Sequence, residues 1–231
     1  MADSRNLQAS QDYLRRGDEE YKSRDYDAAI SNYTRAIQLY PNYYQAFNNR
    51  GSARDKKGDY DEAIVDFTRA IELNPKFDEA FYNRAISFDK KGNYDRAIYD
   101  YSHAVELNPK NDDAYNGRAW TEYKNKDYEK ALSDSTRAIE LNPNNSYAYG
   151  TRGWIKSAKG DREGAISDLT KSVDLADPDS DSVFIDGGMV HYIKKEYNQA
   201  VEAWNKAIDV DTANKVELDP WIQKARKLCC K

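Results

Sequence analysis

Cysteine is nearly absent from this sequence: two residues in 231, Cys229 and Cys230, adjacent and almost terminal. Neighbours in the chain cannot staple a fold or supply the ligand spacing of a zinc site, so neither a disulfide framework nor a metal finger is expected. Only Lys231 follows them, which also excludes a prenylation box. Long apolar runs are missing too. The opening MADSRNLQAS has no apolar core to make a signal peptide, and no stretch is long enough to span a membrane. Nor is there a basic excess: 35 Lys and Arg stand against 40 Asp and Glu, a net charge of −5 without a long basic run. Nucleic acid and membrane are therefore not expected as partners. The reading is a cytoplasmic protein with reduced thiols, an exported fragment without its signal remaining open as the alternative.

The furniture of catalysis is equally sparse. The two histidines, His103 and His191, have no Cys, Asp or Ser at a spacing that implies a nucleophile or a metal. There is no phosphate-cradling Gly loop and no Gly-x-Ser-x-Gly elbow. Asp177, Asp179 and Asp181 alternate like the start of a calcium loop. The sixth place is Ser182 instead of Gly, however, and the twelfth is Gly188 instead of Glu. Neither an enzyme nor a cofactor is expected.

What is present is a repeat. GDYDEAIVDFTRAIELNP, 58–75, returns thirty-four residues later as GNYDRAIYDYSHAVELNP, 92–109, and again as KDYEKALSDSTRAIELNP, 126–143. Weaker copies at 24–41, 160–177 and 195–212 make six. A period of this size marks stacked units, none of which buries its apolar face alone. With 39% hydrophobic and 32% charged residues, thin layers that each keep a wet face fit better than one large core.

The copies align as 10–43, 44–77, 78–111, 112–145, 146–179 and 181–214. In each, a first helix (A) carries a ring at its fourth place, as in Phe47 and Tyr115, and a small residue four places on: Gly17, Gly51, Ala85, Ala119, Gly153 and Gly188. Small residues there predict a close helix approach. Lysines and a Gly, as in Lys56-Lys57-Gly58, stop helix A. Asp59 and Asn93 are placed to cap a second helix (B), whose alanines recur at 29, 63, 97, 131, 165 and 200. Asn-Pro pairs then close it. Arg50, Arg84, Arg118 and Arg152 in helix A recur together with Asp66, Asp100, Asp134 and Asp168 in helix B. Repeat six lacks both, which predicts ion pairs inside each repeat and no anion-binding ladder; Arg16 faces Asn32 and is the exception. Residues 1–9 read as a flexible start. Residues 215–231 read as a tail with a capping helix opened by Asp219 and Pro220, with Trp221, Ile222, Ala225 and Leu228 on one side.

The period, with small residues, aromatics and Pro at fixed offsets, resembles the tetratricopeptide repeat over about residues 10–214. The resemblance implies an all-α right-handed solenoid of antiparallel helix pairs. It also implies that places 2, 5, 6, 9, 12 and 13 of each A helix line a concave groove. That groove is polar in the early repeats, with Asn48, Asn49 and Asn83, and aromatic or apolar later, with Trp120, Tyr123, Tyr147, Trp154, Ile185, Met189 and Tyr192. Exposed Trp and Tyr with a polar rim suit a recognition surface. The expected function is a non-catalytic scaffold that docks a protein or peptide segment. Two alternatives stand beside it: the tail folds into the aromatic patch, or the apolar C-terminal end makes a homodimer. The family's clamp for heat-shock chaperone tails wants Lys and Asn, Asn, then Lys and Arg. The corresponding residues here are Leu14, Asp18, Asn49, Glu79 and Asn83, so that partner is disfavoured.

Overall fold

A computed structural model describes residues 2–229. Cys230 therefore lies outside the described residues. The chain divides between Lys110 and Asn111 into two compact units. Unit one holds α1 (Ala2–Lys22), α2 (Tyr26–Leu39), α3 (Tyr44–Lys57), α4 (Tyr60–Leu73), α5 (Asp78–Lys90) and α6 (Tyr94–Leu107). Unit two holds α7 (Asp112–Lys124), α8 (Tyr128–Leu141), α9 (Ser146–Lys159), α10 (Arg162–Leu175), α11 (Asp181–Ile193) and α12 (Tyr197–Val210). A short 3-10 turn, Thr212–Asn214, then leads into α13 (Lys215–Cys229). Within each unit every helix packs on the next one, and alternate A helices also touch, α1 on α3 and α3 on α5, α7 on α9 and α9 on α11. This is an α-solenoid built of helix pairs.

The small places do what their recurrence predicted. A Cβ on Gly51 would stand 2.7 Å from the Phe67 ring, and one on Gly188 would stand 2.5 Å from the Trp204 indole. The helix B alanines are fully buried in the same contacts. Gly58 ends α3 with φ +88°, where a side chain is strained. Where the repeat has no Gly at this place, Arg24, Lys126 and Lys195 take the same left-handed turn with φ of 65–68°.

Three expectations need correction. The start of the chain is helical from Ala2, because Ser10 is buried and its hydroxyl donates to the Ala36 carbonyl, tying α1 to α2. Asp59 and Asn93 stand at the cap positions but make no capping bond. Asp25 and Asp161 do, to the backbone N–H groups of Ala28 and Gly164. The last helix begins at Lys215, four residues before Asp219, so Pro220 lies inside it. Proline there removes one donor and leaves the Val216 carbonyl without its helical partner.

The paired charges form as expected, two-pronged in all four repeats. Each Arg donates Nε and Nη2 to the two oxygens of its Asp over 2.5–2.9 Å. Each guanidinium also lies 5.5–5.8 Å from the centre of the ring at its repeat's fourth place: Phe47, Phe81, Tyr115 and Tyr149. Arg50 and Arg84 reach back as well, to the hydroxyls of Thr34 and Thr68 in the preceding repeat. Burial pushes the Asp168 carboxyl up, yet the hydrogen bonds from Arg152 and Lys156 outweigh it and hold the group below the usual carboxylate range.

Candidate partner-binding surface

In unit one the inner places of α1, α3 and α5 are stitched by amides and carboxylates. Asn48 is buried, 1% exposed, and donates to Glu79 Oε1 at 3.1 Å; Asn83 in turn donates to Asn48 Oδ1 at 3.0 Å. Asn49 donates to Asp18 Oδ1 at 2.9 Å, and the Tyr33 hydroxyl donates to the same oxygen at 2.8 Å. Farther along, Asp55 accepts from the Ser87 hydroxyl and from Lys90. The three asparagines do come together, but not as three equals. Asn48 is an internal link, whereas Asn49 and Asn83 stay half-buried. A helix carries its i, i+4 places on one face, so this row follows from the repeat. That its amides would be claimed by Asp18 and Glu79 was not visible in spacing alone.

In unit two the aromatic residues also come together. Trp120 stacks on Tyr123 with centroids 5.2 Å apart and meets Trp154 edge-on at 6.4 Å. Tyr147 is 60% exposed. Trp154 and Met189 do not form open surface: they are 6% and 2% exposed, and Ile185 and Tyr192 are half-buried against the same cluster. The reason is α13. Its Trp221 meets Trp154 at 5.5 Å and Tyr192 at 5.4 Å, both edge-on, and lies 6.3 Å from Trp204. Leu218, Ile222 and Ala225 are buried with it, so the apolar side of the tail faces its own chain. Trp154 and Met189 depart from the expected open patch, because a local helix satisfies their apolar area; Trp120 and Tyr123 are themselves half-buried against that cluster.

Asp186 has a role that spacing placed on the same helix face but did not assign. Its carboxylate sits on the inner side of α11, buried, accepting from the Trp154 indole N–H at 2.9 Å and the Ser172 hydroxyl at 2.6 Å. Burial pushes its pKa up to about 6. Gly150 is the space it needs, since a Cβ there would strike its Oδ2. An acid inside the apolar run VFIDGGMV was the available signal. A second buried acid, Glu122 on α7, is 4% exposed, and its Oε2 has no hydrogen-bond partner. Burial, then the nearby Asp134 charge, pushes it up to about 7. The histidines are structural in their contacts: His103 lies between the Phe81 and Tyr99 rings, and His191 bonds Glu196. Of the alternating aspartates, Asp181 accepts from Asn214, and Asp177 accepts from the backbone of Asp179.

No helix among the described residues is long and apolar enough to cross a membrane. Tetratricopeptide repeat family models match residues 10–43, 44–77, 78–111, 112–145 and 146–179. No curated protein matches the sequence. Among solved structures, a tetratricopeptide repeat protein from Parabacteroides merdae is similar at TM-score 0.66 and 17% identity, over 97% of this chain and all of that one. MamA (41-end) from Desulfovibrio magneticus RS-1 is similar at TM-score 0.65 and 20% identity, over 72% of this chain and 94% of that one. YrrB, described as a TPR protein with an unusual peptide-binding site, is similar at TM-score 0.56 and 22% identity, over 81% of this chain and 97% of that one. These identities carry the fold alone. The repeat matches carry more: spanning residues 10–179, they place the chain in the tetratricopeptide repeat family, whose members act generally as protein-interaction scaffolds.

Proposed function

We propose that this protein is a non-catalytic scaffold that docks a protein segment on the inner faces of its A helices. The observation that supports it most is the amide row of unit one. Asn49 and Asn83 are held in fixed orientation by Asp18 and by Asn48 with Glu79, and both keep part of their surface open. Carboxamides fixed in this way can accept from and donate to an extended peptide backbone without first being ordered, which lowers the entropic cost of binding. Trp120, Tyr123 and Tyr147 offer unit two an apolar contact of the kind that anchors a segment. A likeness to a peptide-binding TPR protein agrees with this reading.

The test is selection of peptides from a random display library on the full-length protein, followed by affinity measurement on the Asn49→Ala/Asn83→Ala variant. The expected result is a loss of roughly tenfold, about 1.4 kcal/mol, in a variant that remains folded. Unchanged affinity for every selected peptide would overturn the reading for unit one.

A further inference from the structure

The aromatic cluster of unit two is built in a way that a simple end cap does not require. Trp154 is anchored by Asp186, which Ser172 also holds, and Trp204 donates its indole N–H to the Ile185 carbonyl at 3.1 Å. Tyr192 packs on Tyr197 at 5.7 Å and on Trp204 at 5.8 Å. None of these fixings uses α13. The cradle is thus ordered by α9 to α12, while α13 supplies one large ring to it, Trp221, which stays partly exposed. Lys224, one turn on, lies 5.0 Å from the Trp221 ring and 5.5 Å from the Tyr192 ring, closing the contact by cation–π attraction.

The strap is anchored in its first turn by Leu218, but that turn is otherwise open. It is entered from a three-residue 3-10 turn, and it carries Pro220 within its second turn. Val216 in its first turn is 83% exposed, as against 3% for Leu218. A well-ordered receptor joined to a poorly nucleated ligand is an arrangement that can exchange.

We propose that α13 is a resident, displaceable ligand of the Trp154–Tyr192–Trp204 cradle. The external partner this cradle accepts is an amphipathic helix that presents the same side chains: a Trp, a branched apolar residue beside it, and a Lys or Arg one turn on. The inference rests on the scaffold reading and adds to it a partner class and a means of regulation: the site opens only to a helix that outcompetes the chain's own. The resident segment states the chemistry. Trp221 fills the cradle, Ile222 and Ala225 are buried beside it, and Lys224 covers the ring.

The test uses the full-length protein and, as probe, a fluorescent synthetic peptide of residues 211–228. The Trp221→Ala protein, whose strap has lost its anchor, is expected to bind the peptide at least tenfold more tightly than wild type. The same peptide with Trp221→Ala is expected not to bind. Equal affinity of the two proteins, or binding of the Trp-free peptide, overturns the proposal. Hydrogen exchange on the wild type guards against a misfolded variant: amides of 221–229 should exchange at least tenfold faster than those of 200–208. Equal rates would show that the strap opens only with α12 and would also overturn it. Because the probe is the chain's own segment, this outcome is independent of the amide-row assay above.

Discussion

At the scale of single residues, charge placement decides most of what is distinctive. The Arg–Asp pairs are held at the margin of each repeat's core; the Arg84 and Asp100 side chains are 15% and 2% exposed. Removing one partner strands the other, so Arg84→Ala or Asp100→Ala is expected to cost about 2–4 kcal/mol in urea unfolding, and the double variant less than the sum. Additive losses would mean the two act separately. Recurrence alone exposed this pair: four joint presences and one joint absence within a single chain. Glu122 was not legible, because its neutral form depends on burial. Its folded pKa is raised to about 7 from about 4.5, so its contribution is fully present below the lower value and is lost as the pH rises through the upper one. Glu122→Gln is therefore expected to stabilise by on the order of 2–3 kcal/mol at pH 9 and to change little at pH 4. A thermal-melt series across that range checks both the size and the sign.

At the scale of the helix and its turns, the repeat motif specifies a shape that not every copy supplies chemically. The stop after helix A needs a left-handed residue. Gly58, Gly92 and Gly160 provide it at no steric cost, whereas Arg24, Lys126 and Lys195 adopt it under strain. Lys126→Gly is expected to stabilise by about 0.5–1 kcal/mol, the relief of strain exceeding the added freedom of the unfolded chain. Lys91→Gly, at a residue that caps α5 with an ordinary right-handed backbone, should destabilise instead. Comparing their denaturation midpoints separates a turn effect from a charge effect. Helix positions were legible wherever 3.6-residue spacing met a breaker. Those at 2–9 and 215–218 were not, since their polar sequences are drawn into helix by neighbours, Ser10 onto α2 in one case and Leu218 onto the core of unit two in the other.

At the scale of the whole molecule, stability comes from a sum of neighbour contacts, because each pair packs on the next and on little else within its unit. In unit two that series is closed by α13, whose outward side shows Lys215, Gln223, Arg226 and Lys227 exposed. A face of that character gives another copy little apolar area to bury. The protein is expected to sediment as a 26.6 kDa monomer at micromolar concentration, and a species of twice that mass would restore a dimer as a live alternative. The sequence by itself determined the period, the helix pairs, the close approaches at Gly and Ala, the Arg–Asp pairing and the rows of side chains on each A helix. All of these follow from local spacing repeated in register. Which inner residues remain open was decided only by the tertiary structure. Asn48 is closed by Glu79 from the next repeat, and Trp154 by Asp186 of α11 and Trp221 of α13, partners 31, 32 and 67 positions away. The offset of 31 recurs between neighbouring repeats, joining Asn49 to Asp18 as it joins Asn48 to Glu79, but the side chains that fill it lie outside the motif.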